Sequence, residues 1–205
     1  MPELGDPFDR AVGQMSQAQV QVNQGVPHRG YTIFLCIRSG QVALEDAGNV
    51  KIDFIGGRTD AANGDGDAIL APRDYYSSSV IAVRDGIKIL GVSPEEAVAL
   101  AGRPRSVVLQ KTLGFSGSYS NNSTMLSNEY FKVLLTESWT AISAKEFKAT
   151  DKNIFMLDVD LALLEAPELK IWVEKFAKDE MAFKKVFSGA WHKVMTADHF
   201  KADSY

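Results

Sequence analysis

The chain has 205 residues, 45% of them apolar and 23% charged, with a formal net charge of −4. That length supports one domain with a sizeable core. The acidic balance excludes a global basic field for nucleic acid, and no apolar run approaches the ~20 residues of a membrane span.

In chain order, residues 8–24 predict a polar, Gln-rich helix, broken at Gly25-Val-Pro. The first 28 residues hold one arginine, so neither an Arg-rich transit peptide nor a signal peptide is legible. Tyr31 to Ala47 carries a denser apolar face and predicts a buried helix. Its Cys36, the chain's one cysteine, reads as a buried structural thiol. Val50 to Ile55 alternates imperfectly, as an extended segment does. Gly56 to Asp60 and Ala61 to Asp67 form a loop rich in Gly, Asn and Asp. Its acids lack the spacing and the terminal Glu of an EF-hand, so it reads as a polar turn.

A helix is expected from Asp74 to Leu90, with Val80, Ile81, Val83, Ile87 and Leu90 on its inner side. Ser93-Pro94-Glu95-Glu96 is a helix start: Ser93 caps, Pro94 takes the first helical position, and Glu96 completes a capping box. That helix runs to Leu100-Ala-Gly102. A loop spans 114–127, and a helix follows from Asn128 to Leu135. Three helices close the chain: 158–165, Pro167 to Lys178, and Glu180 to Met195. Leu169, Ile171, Trp172, Phe176, Phe183, Val186, Phe187, Trp191 and Val194 recur there at helical spacing and read as core. Lys170, Lys175, Lys178, Lys184 and Lys185 sit beside acids on solvated faces. Asp158 and Asp160 are a close carboxylate pair without a nucleophile, and Ser116, Ser118 and Ser120 have no evident base. The fold class is mainly α.

Val98 to Ser106 reads Val-Ala-Leu-Ala-Gly-Arg-Pro-Arg-Ser. It resembles the Val-Ala-Leu-Ser-Gly-x-His-Thr segment of haem peroxidases of the ascorbate peroxidase, cytochrome c peroxidase and catalase-peroxidase branch. Further segments agree in the same order. Ile37 to Glu45 is similar to Leu-Ala-Gly-Val-Val-Ala-Val-Glu. Ile52 to Asp60 is similar to Pro-Phe-x-Pro-Gly-Arg-x-Asp. Gly114 to Tyr119 resembles Gly-Phe-Glu-Gly-Pro-Trp, and Asn128 to Leu135 resembles Asn-Ser-Tyr-Phe-x-x-Leu-Leu. Met156 to Asp160 is similar to Met-Leu-Pro-Thr-Asp, and Trp172 to Asp179 to Trp-Val-Glu-Lys-Tyr-Ala-x-Asp.

The resemblance implies the proximal, C-terminal part of a peroxidase domain. Residues 1–205 then form one such domain: a polar helix and loop over 1–28, and a proximal region over 29–200. The departures define the expectation. No Arg-x-x-Trp-His segment supplies the distal groups that cleave peroxide. The axial histidine falls on Arg103 or Pro104, depending on the anchor, and neither ligates iron. His28, His192 and His199 lie elsewhere and read as structural or solvated. The proximal aspartate corresponds to Asp160 and the redox-active Trp to Tyr119. A former cation site falls on Ser120, Asn122 and Ser127, with Arg105 or Pro104 at a further position. The ascorbate-contacting arginine aligns with Thr112.

Losing its imidazole partner would strand Asp160 as a buried carboxylate, which is costly. The expectation is therefore that Arg103 or Arg105 pairs with it. In the competing reading both arginines point to solvent and Asp160 only caps a helix. The resemblance implies a non-catalytic, haem-less and metal-free accessory subunit, contacting protein subunits of a larger assembly or a second peroxidase-like chain. By family analogy its home is an organelle, the mitochondrion before the plastid, with a respiratory-chain complex as the host. The alternatives are a haem peroxidase whose distal half comes from another chain, and a binding module that uses the vacated pocket for an anion or small molecule.

Overall fold

The computed structural model describes residues 41–53, 55, 77–105, 107–112 and 114–197. Sequence expectations for residues 1–40, the loop at 56–67, Cys36, His28 and His199 lie outside them, as does the side chain of Thr112. The described part is mostly helical, as expected, with a small sheet.

Helix α1 covers 41–48. Beyond it the described residues of the extended segment expected at Val50 to Ile55 form no strand. It is tied back instead: Gln41 Nε2 donates to the Ile52 carbonyl at 2.6 Å, and Ile52 N–H donates to Glu45 Oε1 at 2.9 Å. Helix α2 spans Ser79–Leu90, beginning later than Asp74 because the Ser78 hydroxyl accepts from Ile81 N–H and caps it there. Gly91 ends it at φ 63°, a left-handed position where glycine carries no Cβ penalty. Its expected inner face is only partly so. Val80, Val83 and Ile87 pack on the core, whereas Ile81 and Leu90 are exposed.

Helix α3, Pro94–Ala101, starts as the capping box requires. Ser93 Oγ accepts from Glu96 N–H at 3.1 Å and Glu96 Oε2 from Ser93 N–H at 2.7 Å. A short helix α4, Val107–Thr112, was not legible in the sequence. Helix α5 is Glu129–Thr136. Asn128 precedes it but does not cap it; its Nδ2 donates to the carbonyls of Phe176 and Ala177, bonding α5 to a distant helix.

The sheet was also unforeseen. Strands β1 (Trp139–Ala141), β2 (Glu146–Ala149) and β3 (Phe155–Leu157) form an antiparallel meander in that order. Trp139 pairs with Ala149, and Phe147 with Met156. Such three- and four-residue strands are too short to leave a clear alternation. Buried Glu146 accepts from Ser116 N–H and Ser116 Oγ, and Phe155 N–H donates to the Ser118 carbonyl. The sheet thereby clamps the loop that carries Tyr119.

Helices α6 (Asp158–Glu165), α7 (Pro167–Lys178) and α8 (Glu180–Met195) fall where the sequence put them. α3 packs against α7 and α8, α2 against α6, and α5 against α7. The core is an aromatic ladder. Phe131 meets Phe183 at 5.0 Å between centroids and Phe176 at 5.5 Å; Phe183 meets Phe187 at 5.9 Å, and Phe187 stacks on Trp191. Ile171, expected inside, faces out at 57% exposure.

Gly102 ends α3 directly against this ladder. A Cβ there would stand 2.6 Å from the Phe131 ring and 3.1 Å from Phe183. Both rings are fully buried, so they have nowhere to retreat. Gly102→Ala is expected to cost about 1–3 kcal/mol, read as a lower urea midpoint at unchanged m-value.

Candidate functional site

The loop leaving α3 and the first turn of α6 converge inside the fold. The backbone N–H of Arg105 donates to the Ser123 carbonyl at 2.8 Å, fixing the loop. β3 runs straight into α6, so Asp160 arrives at the third position of that helix. There its Oδ2 accepts from Leu157 N–H at 2.9 Å, satisfying one of the open donors of the helix start.

Asp160 does more than cap. Arg105 Nη1 donates to Oδ2 at 3.0 Å and Nη2 to Oδ1 at 2.7 Å, a two-pronged ion pair. The Tyr130 hydroxyl donates to Oδ1 at 2.7 Å. Arg105 Nη2 also donates to the Ala101 carbonyl at 3.0 Å, one of the open acceptors at the end of α3. Arg105 and Asp160 are 8% and 2% exposed. The guanidinium lies 4.0 Å above the Tyr119 ring centroid and 5.2 Å from that of Tyr130. Tyr119 is held by its own hydroxyl, which donates to Gln110 Oε1 at 2.7 Å.

The charges agree with this arrangement. Burial pushes the Asp160 carboxyl up, but the Arg105 charge and the hydrogen bonds from Arg105, Leu157 and Tyr130 hold it below the usual carboxylate range. Burial likewise opposes the Arg105 charge, and Asp160 more than offsets it, so the guanidinium is held above its ordinary value. Burial, then the Asp160 charge, pushes the Tyr130 hydroxyl well above the usual tyrosine range. Burial first also raises Tyr119. Neither tyrosine ionises at neutral pH, so both remain hydrogen-bond donors.

Of the two candidate arginines, Arg105 takes the carboxylate. Arg103 keeps an exposed surface and forms no ion pair among the described residues, although its charge reaches Arg105 and Asp160. Pro104 is buried between them. Ser120 and Ser127 line a void of about 10 Å³ beside Arg103, Arg105, Tyr119 and Tyr130, room for about one water. Asn122 is exposed and does not join them. Asp158 turns away from Asp160 and accepts from Ser79 Oγ at 2.8 Å, so the two carboxylates do not converge. His192 Nδ1 lies 2.8 Å from the Asp53 carbonyl, at the far end of α8.

Above the ion pair, α2, α3 and α6 line an open cleft with a cavity volume of about 270 Å³. Val83, Ile87, Leu90, Leu100, Val159 and Leu163 form most of its wall, and Arg103, Arg105 and Asp160 form its polar end. Residues 103–105 present iron with no donor: proline has none and arginine stays protonated. A guanidinium already saturates the carboxylate that would orient an axial imidazole. Residues 103–105 therefore do not fit the part of an axial haem ligand. Among the described residues no cluster of three or more His, Cys, Asp or Glu is placed to hold a metal, and no helix is long and apolar enough to cross a membrane.

Sequence reasoning missed Tyr130, Gln110 and the Ala101 carbonyl. Tyr130 carried a signal, a polar tip directly before Phe131 on the apolar face that Val133 and Leu134 continue. Gln110 and the carbonyl carried none, since α4 and the loop geometry place them.

No family model matches the chain. Curated relatives do. It is 30% identical to a Pyricularia oryzae protein named "Putative heme-binding peroxidase" over 94% of this chain and 67% of that protein. A Gibberella zeae protein of the same name is 30% identical over 77% of this chain and 50% of its own length. A mitochondrial cytochrome c peroxidase of Aspergillus fumigatus is 31% identical over 77% of this chain and 44% of its own. The chain spans about half to two thirds of the length of these relatives.

Proposed function

The chain belongs to the haem-binding peroxidase family, and from that premise we propose that it is a haem-less, non-catalytic member acting as an accessory subunit through protein contacts. The observation that carries this reading is the buried, two-pronged Arg105–Asp160 pair. On this reading it takes the carboxylate that the family resemblance assigns to the proximal histidine, with a guanidinium as partner instead of an imidazole. Peroxide chemistry in such a fold needs an iron ligand and a proton-moving base. Residues 103–105 supply neither. Tyr119, Ser120 and Ser127 around the pair are, on the same reading, remnants of the redox and cation positions.

Exposed apolar side chains support a role in contact. On α2, Ile81 and Ile89 lie two turns apart on one face, and Ile89 is 75% exposed. Val108, Ile171 and Met181 add further apolar surface. The mitochondrial cytochrome c peroxidase among the relatives supports a mitochondrial home, and a respiratory-chain assembly is the host this reading favours.

Hemin titration of the purified full chain tests the reading. The expected result is no sharp ligated Soret band and no hydrogen peroxide turnover, while native mass spectrometry of material from the source finds the chain in a larger complex. A ligated Soret band with turnover would establish the other reading, a peroxidase completed by a second chain.

A further inference from the structure

We infer that the cavity between α2, α3 and α6 binds a medium-chain aliphatic monocarboxylate, with Arg103 receiving the carboxylate. The inference rests on the haem-less reading, because Arg103, which stands at the axial-ligand position by family resemblance, lines this cavity.

Charge and shape define the ligand class. The charged residues at the cavity's polar end are Arg103, Arg105 and Asp160, two cations and one carboxylate, leaving one positive charge. Asp160 is already committed to Arg105 through both its oxygens. Arg103 has no such partner, and Arg105 Nε is a buried donor with no hydrogen-bond partner. One monoanion matches this surplus, and a carboxylate presents the paired oxygens that suit a guanidinium. The rest of the wall is aliphatic, contributed by Val83, Ile87, Leu90, Leu100, Val159 and Leu163. A volume of about 270 Å³ lies just below the ~300–1,000 Å³ usual for small-molecule sites. It suits one unbranched chain of roughly ten carbons better than a long-chain lipid or a folded peptide segment.

Sodium decanoate added to the purified full chain, followed by calorimetry, is the test. Saturable one-to-one binding is expected. Octanoate should bind roughly fifteenfold more weakly, from about fourfold per methylene. Decanol and decyltrimethylammonium should bind at least tenfold more weakly than decanoate. Arg103→Ala should weaken decanoate tenfold or more, with Arg103→Lys restoring part of the loss. Gly86 lines the cavity, and nothing stands within 4 Å of a Cβ built on it. Gly86→Phe should therefore fill the space, abolish binding and leave the helical circular dichroism intact. Equal affinity for decanol, or unchanged affinity in Arg103→Ala, would overturn the proposal. Failure of decanoate to saturate, with hemin also failing to give a ligated spectrum, would overturn it and leave the accessory-subunit reading standing. A ligated hemin spectrum would overturn both. A homodimer that Gly86→Phe abolishes and decanoate does not disturb would assign the cavity to a second copy and overturn the ligand.

Discussion

Asp160→Ala is expected to destabilise the protein by about 3–5 kcal/mol, the largest effect of any single polar substitution here. The cost is not the worth of one ion pair. The change leaves Arg105 buried and charged with no counterion, and it strips an acceptor from Tyr130 and from the Leu157 N–H. A nonpolar exchange of both partners, Arg105→Met with Asp160→Leu, should cost less than Asp160→Ala alone, although it removes more. The stranded charge is gone; the two orphaned donors, which Asp160→Ala leaves as well, and the Ala101 carbonyl remain. Urea unfolding of the two variants checks the order. The pH dependence carries a second signature. The folded pKa of Asp160 is depressed, so its contribution is full above the unfolded value near 4 and is lost as pH falls through the lower folded value. The stability gap between wild type and Asp160→Asn should therefore hold from neutral pH to about pH 5 and close below about pH 4. A gap that stays constant down to pH 2 would show that folding does not depress the Asp160 pKa.

The sequence announced Asp160 and its arginine better than it announced the walls around them. Asp160 was legible because β3 and α6 carry a recognisable Met-Leu-x-x-Asp segment, and a carboxylate that loses a buried partner requires another. Which arginine would answer was not legible. Arg103 and Arg105 differ only in where a turn aims them, and that turn is set by the Arg105 N–H bond to Ser123, a contact no periodicity encodes. The long helices α6 to α8 were legible because their start signals and apolar spacing agree. β1 to β3 were not, since three or four residues are too few to show a period of two. α2 shows the opposite failure. Its apolar residues predicted a buried face, yet Ile81 and Leu90 are exposed, because α2 packs on α6 on one side and borders the cavity on another. Apolar spacing marks what is available for burial and does not say what covers it.

Phe183→Ala is expected to cost a further about 3–5 kcal/mol on the scale of core aromatic truncations, or roughly 10 °C in thermal midpoint. Phe183 touches Phe131, Phe176 and Phe187, so its removal opens a void at the centre of the ladder and leaves three rings short of contacts. Differential scanning calorimetry measures the loss, and Phe183→Leu should recover much of it by refilling the void. The position of this ring bears on function. Phe183 and Phe131 press on Gly102, the last residue before Arg103, so the aromatic core sets the height at which the arginine loop leaves α3. The loop geometry that brings Arg105 onto Asp160 is thus built on the most deeply buried part of the molecule. A drop far below 3 kcal/mol would mean that the ladder tolerates collapse, and the loop above it would then need another anchor. A drop in the expected range fits a loop whose Arg105–Asp160 geometry is anchored on the aromatic ladder.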